Sequence, residues 1–176
     1  MNKFVKLPLF LGVCGAICAG VLGIVNGITA PIIEKRLENE RNANYLELMG
    51  VEAADEFKDG TVSDDLIGKN VTGIKEIVVG GEVLGVVYDG TVADGFTTWT
   101  LQLGIKEGTF TGLKYTNSEA DAIGKTHFDA FASDLAGKSI DFSMSDVASG
   151  VSSMSTNPAL RTFASACAAD FAANYQ

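Results

Sequence analysis

Residues 71–115 read VTGIKEIVVGGEVLGVVYDGTVADGFTTWTLQLGIKEGTFTGLKY, and this stretch decides the fold class. Its β-rich runs lie around residue 74 and at residues 77–79, 83–88, 96–103 and 109–115. Glycine-containing turn pairs separate these runs: Gly80-Gly81, Asp89-Gly90, Asp94-Gly95 and Glu107-Gly108. Turn residues at this short spacing predict an antiparallel meander.

The predicted strand at residues 97–103 alternates polar with apolar side chains. This alternation predicts that one face of the sheet is solvated or carries a ligand. Trp99, the single tryptophan of the chain, fits packing in the core or on the sheet face better than a role as a cofactor platform.

Helical periodicity replaces the strand pattern beyond Lys125, at residues 127–135 and 158–175. One apolar stripe follows the second helix through Leu160, Phe163, Ala164, Cys167 and Phe171. Thr156 or Asn157 suits its N-cap, and Pro158 suits its first turn. Residues 70–176 are therefore predicted to be an α+β domain, a twisted antiparallel sheet packed on helices.

The N-terminal residues 1–33 form a separate apolar segment, with no formal charge between Leu7 and Ile33. A membrane-spanning helix needs roughly 20 apolar residues, so this segment is predicted to be an uncleaved transmembrane anchor. Its length argues against a cleaved secretory signal, and Ile17 before Cys18 argues against a lipid-modified cysteine. Lys3 and Lys6 precede the span and favour an inside N-terminus, which places the rest of the chain outside the cytoplasm.

Small residues line the predicted span in two rows, Gly15, Ala19, Gly23 and Gly27 beside Gly12, Ala16 and Gly20. Small residues four positions apart let a second helix approach closely, which indicates membrane partners. A glycine-rich anchor without a partner is the alternative. Cys14 and Cys18 share a helix face but have no His or carboxylate beside them, so packing is the better explanation than metal binding.

Residues 34–69 are predicted to be a helical stalk, which ends near Gly50, and a polar acidic linker with one short helix. Residues 34–176 carry a formal charge of −11, because the whole chain carries −9 and Lys3 and Lys6 give residues 1–33 a charge of +2. Such an acidic body argues against nucleic-acid binding. The single histidine, His127, has no neighbours that complete a nucleophilic triad or a zinc site.

The segment with the most chemical information is residues 146–158, DVASGVSSMSTNP. It places five hydroxyl residues around Gly150, just before a helix whose N-terminal amides favour a phosphate. A serine-rich loop that only caps the helix is the alternative.

Asp146-x-x-Ser149-Gly150-Val151-Ser152 resembles the flavinylation signature of FMN-binding domains. These domains occur in the G subunit of the Rnf ion-translocating electron-transport complex and in the C subunit of the sodium-pumping NADH:quinone oxidoreductase. The order of parts is similar as well, because such proteins have one span, an acidic stalk, a small sheet and then the motif before the last helix. Thr29-Ala30-Pro31 resembles the element that often closes their span.

The resemblance implies that FMN is joined through its phosphate to the hydroxyl of Ser152, in a reaction that a separate flavin transferase performs. It implies that Asp146 belongs to what the transferase recognises. Val151 replaces the usual Ala, and Ser replaces the commoner Thr at the acceptor position. Ser153 is the alternative acceptor if the register shifts by one residue. A second family element appears in outline at residues 117–124, where Glu119 and Gly124 match.

The first hypothesis is therefore a single-pass membrane subunit that carries covalent FMN outside the cytoplasm. It would pass electrons within an Rnf-like complex that couples ferredoxin:NAD electron transfer to ion movement, with no turnover of its own. Its partners would be other membrane subunits and a flavin transferase. The alternatives are a self-standing exported flavoprotein for extracellular electron transfer and an anchored binding module without a cofactor.

Overall fold

The computed structural model describes residues 3–93, 98–118, 122–147 and 156–176. Within it the chain divides into two compact units, Met1–Asn42 and Ala43–Gln176. The described residues form an α+β structure that combines one long N-terminal helix with a five-stranded antiparallel open sheet and shorter helices. The predicted fold class is confirmed at this level.

The N-terminal helix α1 extends over Lys3–Met49 and continues through Pro31. Among the described residues, its segment Cys18–Met49 is long and apolar enough to cross a membrane, by length and composition. Large apolar side chains are exposed along it: Val21, Leu22, Ile24, Val25, Ile28, Ile32 and Ile33. Gly50 follows the last helical residue with a φ of +67°, a left-handed conformation that suits glycine and ends the helix as predicted.

The sheet consists of β1 (Glu56–Asp59), β2 (Val71–Val79), β3 (Glu82–Ala93), β4 (Thr98–Lys106) and β5 (Thr109–Ser118). The strands neighbour one another in chain order and are antiparallel throughout, so the predicted meander is confirmed. Gly80 and Gly81 both have positive φ angles, as do Glu107 and Gly108, which is the geometry of tight hairpin turns.

Two local predictions for this region are wrong. The segment predicted as a linker holds β1, which pairs with β2, although the predicted short helix is present as α2 (Asp64–Ile67). The second error concerns Asp89-Gly90, which is not a turn, because β3 continues through both residues and pairs with β2 and β4 there. Gly90 lets the ring of Phe163 approach the backbone of β3 closely, since a Cβ at this position would lie 2.2 Å from that ring.

Helices α3 (Ala122–Leu135) and α4 (Thr156–Asn174) supply Phe128, Phe131, Leu160 and Phe163 to the main core. The strand β3 supplies Val86 and Tyr88 to the same core. Both helices were predicted. The helix α3 begins five residues before the predicted start at residue 127.

The other side of the sheet is covered by the end of α1. Tyr45, Leu48 and Met49 are buried with Ile77 and Val87 in a second core cluster. Glycines on β3, β4 and β5 make room for this helix end, because added Cβ atoms would contact Leu48 or Met49: Gly85, Gly104 and Gly112. The expectation of one solvated face is therefore wrong for the middle of β4, where residues 101–105 are all buried.

A polar network lies within this second interface. The hydroxyl of Tyr45 donates to Asp89 Oδ2 at 2.5 Å, and Gln102 Nε2 donates to Asp89 Oδ1 at 3.1 Å. Lys114 of β5 forms an ion pair with Glu47 of α1. These contacts connect the last turns of α1 directly to β3 and β5, and through Asp89 to β4, so residues 45–49 belong to the sheet unit.

Candidate functional site

The helix α4 is the rigid element beside the serine-rich segment. The predicted stripe is confirmed, since Leu160, Phe163, Ala164, Cys167 and Phe171 are all buried in the main core. Because these side chains occupy successive turns on one face, the helix cannot rotate about its axis without exposing them. The first turns of α4 are therefore a fixed reference point for the residues that precede it.

A short 3₁₀ turn, Met144–Asp146, lies on the other side of the serine-rich segment. The hydroxyl oxygens of Ser143 and Ser145 are 2.7 Å apart. Val147, the first residue after the turn, is 2% exposed and lies in the core. We call residues 144–147 the stem, because the serine-rich segment follows them directly. Asp146, the first residue of the predicted motif, therefore lies on a locally ordered turn.

Arg161 connects the stem to α4. Its Nη1 donates to the backbone oxygen of Ser145 at 2.9 Å, and its Nη2 donates to the backbone oxygen of Val147 at 2.8 Å. The two carbonyls lie on either side of Asp146 in the chain. One guanidinium group thus holds the stem against the second turn of α4, across more than a dozen residues of sequence.

Arg161 is not among the residues that the sequence predicts for the site. One signal could have indicated it, because Arg161 is the only basic residue between Lys138 and the C-terminus. A lone arginine near the start of a helix has five N–H donors and is well suited to bind carbonyl oxygens.

Most of the predicted cofactor-binding residues lie outside the described residues: Glu119, Ser149, Gly150, Val151, Ser152 and Ser153. The structure describes the backbone of Asp146 in the stem and Gly124 in the first turn of α3. It therefore shows which elements border the motif, and the flavin role of the motif itself stays a prediction.

An aromatic cluster borders the second predicted element at residues 117–124. Trp99 is 1% exposed and stacks on Phe128 with ring centroids 5.1 Å apart, and the ring of Tyr115 meets both edge-on. Trp99 pairs with Ser118 across β4 and β5, and Phe128 comes from α3. The prediction that Trp99 packs in the core is confirmed.

A cleft of about 240 Å³ lies beside the stem, between α4 and residues 140–144. Most of its walls are apolar or small side chains, with a carboxylate and a hydroxyl among them: Ile140, Asp141, Phe142, Met144, Ser165, Ala168, Ala169 and Ala172. Sites that enclose a small-molecule ligand typically measure roughly 300–1,000 Å³. This cleft alone is therefore too small to enclose a ligand of nucleotide size.

Three titratable groups on or next to α4, Tyr88, Cys167 and Tyr175, have raised pKa values that favour their neutral forms. Burial raises the pKa of Tyr88. The hydrogen bond that its hydroxyl donates to Asp170 Oδ2, at 2.9 Å, raises this pKa further. Burial also raises the pKa of the Cys167 thiol well above its ordinary value. Tyr175 donates to Glu76, and partial burial together with this bond raises its pKa. Such groups suit structural hydrogen bonding rather than proton transfer near neutral pH.

Among the described residues, no group of three or more His, Cys, Asp or Glu side chains is arranged to hold a metal ion. His127 is half-buried on α3. The described part of the site instead offers a fixed helix terminus and a fixed stem on the two sides of a hydroxyl-rich segment. That arrangement can present a hydroxyl group for modification.

No protein-family model matches the chain, and no curated protein matches it.

Proposed function

We propose that this protein is a membrane-anchored electron-transfer subunit that carries FMN as a phosphoester of Ser152. We further propose that it works in an Rnf-type complex, in which electron transfer between ferredoxin and NAD is coupled to ion translocation. The observation that carries the proposal is the sequence Asp146-x-x-Ser149-Gly150-Val151-Ser152 shortly before the last helix.

The chemistry of the bordering residues fits a phosphate ester. Serine hydroxyls are the acceptor groups that such an ester requires, and they precede the N-terminus of α4, where the helix dipole favours negative charge. The 3₁₀ turn that ends at Asp146 is tied to α4 by Arg161, so both flanks of the segment are supported by the core.

The attachment reaction needs an activated flavin, because direct condensation of FMN with a hydroxyl is unfavourable in water. With a flavin dinucleotide such as FAD as donor, the Ser152 oxygen bonds to the FMN phosphorus and the phosphoanhydride bond breaks. AMP leaves, and the serine proton passes to solvent or to the transferase. The chain gains the mass of one FMN less one water. The bound cofactor supplies the redox chemistry, and the protein supplies placement.

The apolar α1 supports the membrane part of the proposal. Its described small residues are exposed along the helix, which suits close contact with other membrane subunits. Lys3 and Lys6 favour a cytoplasmic N-terminus and an extracytoplasmic flavin. In that compartment a covalent bond prevents loss of the cofactor by diffusion.

Intact-mass spectrometry of the full chain, coexpressed with a flavin transferase, tests the attachment. We expect a gain of one FMN less one water, which Ser152→Ala abolishes. Ser153→Ala is the matched control and should retain the gain. A gain that follows Ser153 instead corrects the acceptor by one residue, and an unmodified wild-type chain rejects the flavin and leaves an anchored binding module.

The side of the membrane and the partners need separate measurements. A reporter fused after Gln176 should be active outside the cytoplasm, and a cytoplasmic signal contradicts the proposed export. Purification in mild detergent should recover other membrane subunits. Recovery of the flavinylated chain alone supports the self-standing exported flavoprotein instead.

A further inference from the structure

We propose that the end of α1, residues 43–49, is a strap that releases from the sheet while the rest of the sheet unit stays folded. This conformational device goes beyond the proposed function and needs no cofactor. It rests on two polar side-chain atoms that the strap buries, Gln102 Oε1 and Thr111 Oγ1. Neither atom has a hydrogen-bond partner in the part of the chain that the structure describes.

The hydroxyl group of Thr111 lies against apolar atoms of the strap. Thr111 is located at a register shift in the pairing of β4 with β5. A Cβ added at Gly104 would lie 2.2 Å from this hydroxyl oxygen, 2.9 Å from Met49 Cε and 3.2 Å from Leu48 Cβ. One small space on the sheet therefore holds the hydroxyl and both apolar side chains. The carbon atoms of the strap shield the hydroxyl from water and offer it no hydrogen bond.

Gln102 is covered by the polar part of the strap. In the strand register it lies opposite Asp89 of β3 and Lys114 of β5. Both of these side chains bind the strap, Asp89 through Tyr45 and Lys114 through Glu47. The amide nitrogen of Gln102 donates to Asp89, and the side chain is 1% exposed. The strap therefore separates the amide oxygen of Gln102 from water as well.

Burial of these two atoms opposes the docked state of the strap. An unpaired buried polar atom loses its hydrogen bonds to water, and each such loss can change an equilibrium by roughly tenfold or more. Release of the strap hydrates both atoms, which offsets part of the stabilisation gained by burying Leu48 and Met49. The opposite face of the sheet keeps its packing on α3 and α4 in the main core. The strap is therefore the part of the sheet unit that opens most easily.

Gly50 is a suitable hinge for this release. It follows the last helical residue with a φ of +67°, and an added Cβ would have no atom within 4 Å. Rotation at Gly50 lets the strap leave the sheet while β1 stays paired with β2. A released strap then becomes a flexible connection that precedes the sheet.

Hydrogen exchange of the full chain in detergent micelles, followed by mass spectrometry of its peptides, tests the release. We expect amides of residues 45–49 to be less protected than those of residues 86–88 in β3, by roughly tenfold or more. Thr111→Val replaces the hydroxyl with a methyl group and should slow exchange in the strap roughly tenfold. Thr72→Val is the matched control, because Thr72 is exposed on β2 and its loss should leave the strap unchanged.

Two results would overturn the inference. Equal protection of the strap and β3 means that the strap opens only when the whole unit unfolds. Fast exchange in the strap that Thr111→Val leaves unchanged or accelerates means that the buried hydroxyl does not drive the release. Both results are independent of flavin attachment, which the intact-mass measurement on Ser152→Ala decides separately.

Discussion

Replacing Tyr45 with Phe tests whether the end of α1 belongs to the sheet unit. The change removes one hydroxyl and keeps the ring, which is fully buried and lies 6.1 Å from the ring of Phe57. The lost bond is the 2.5 Å donation to Asp89, and hydrogen bonds to charged groups contribute roughly 1.5–3 kcal/mol. We therefore expect the free energy of unfolding to fall by about 2 kcal/mol.

The expected shift of the melting temperature follows from the size of the unit. Residues 43–176 have an unfolding entropy of roughly 0.28 kcal/mol/K, at about 2.1 cal/mol/K per residue. A loss of about 2 kcal/mol therefore lowers Tm by roughly 7 °C. The ring contacts are unchanged, so further loss is not expected.

Urea denaturation of the full chain in detergent micelles, followed by Trp99 fluorescence, measures the effect. Trp99 is the single tryptophan and lies in the sheet unit, so the signal reports on that unit. Tyr175→Phe is the matched control, because this partly exposed tyrosine also donates to a carboxylate and should lose less than about 1 kcal/mol. A Tyr45→Phe variant within about 0.5 kcal/mol of wild type contradicts the hydrogen-bonded packing of residues 45–49 on the sheet and favours the predicted stalk.

Three further predictions concern the core. Gly90→Ala should destabilise the unit by about 1–3 kcal/mol in the same assay, because the new Cβ would lie 2.2 Å from the Phe163 ring; a neutral change contradicts that contact. Above pH 10, the ordinary pKa of tyrosine, stability should fall as pH rises, because the raised pKa of Tyr88 keeps its folded form protonated; Tyr88→Phe should reduce this slope, and an unchanged slope contradicts its burial. Cys167 should react with a thiol reagent only after denaturation, since its thiol is buried and its pKa is raised; peptide mapping separates it from the exposed Cys18, and rapid labelling of Cys167 in the native chain contradicts this.

The meander was predictable because its tight turns are encoded locally. Gly80, Gly81 and Gly108 have positive φ angles, which glycine adopts without strain, and each lies between two β-rich runs. Asp89-Gly90 is also a glycine-containing pair between β-rich runs, but its glycine is there for a different structural reason. Gly90 accommodates Phe163, which is far away in sequence, so no local pattern distinguishes this glycine from a turn glycine.

The polarity of Gln102 led to a similar error. A glutamine between two leucines suggests a solvent-facing position, yet Gln102 is 1% exposed. Its amide donates to Asp89, which also accepts from Tyr45 of α1. A buried polar residue with a partner is indistinguishable in sequence from an exposed one. The partner here is Asp89 of β3, which also binds Tyr45 from a helix that the sequence assigned to a stalk.

The candidate site was only partly predictable for the same physical reason. The motif from Asp146 to Ser152 is contiguous, so it is visible in sequence, and its flavin role stays a prediction. The support of the stem by Arg161 depends on a contact between residues more than a dozen positions apart. Sequence composition indicates that Arg161 is isolated among small and apolar residues, but not which carbonyls it binds.

A covalent cofactor changes what a fold has to provide. A dissociable nucleotide requires an enclosing pocket, whereas a tethered one requires a hydroxyl group that is presented consistently to the modifying enzyme and then to redox partners. The described residues supply the second kind of feature: a helix fixed by Leu160 and Phe163, and a stem bound by Arg161. Flavin that stays bound to Ser152→Ala after purification would mean that affinity, and not the tether, holds the cofactor. Presentation of a hydroxyl group would then not be what this fold provides, even if the protein carries electrons.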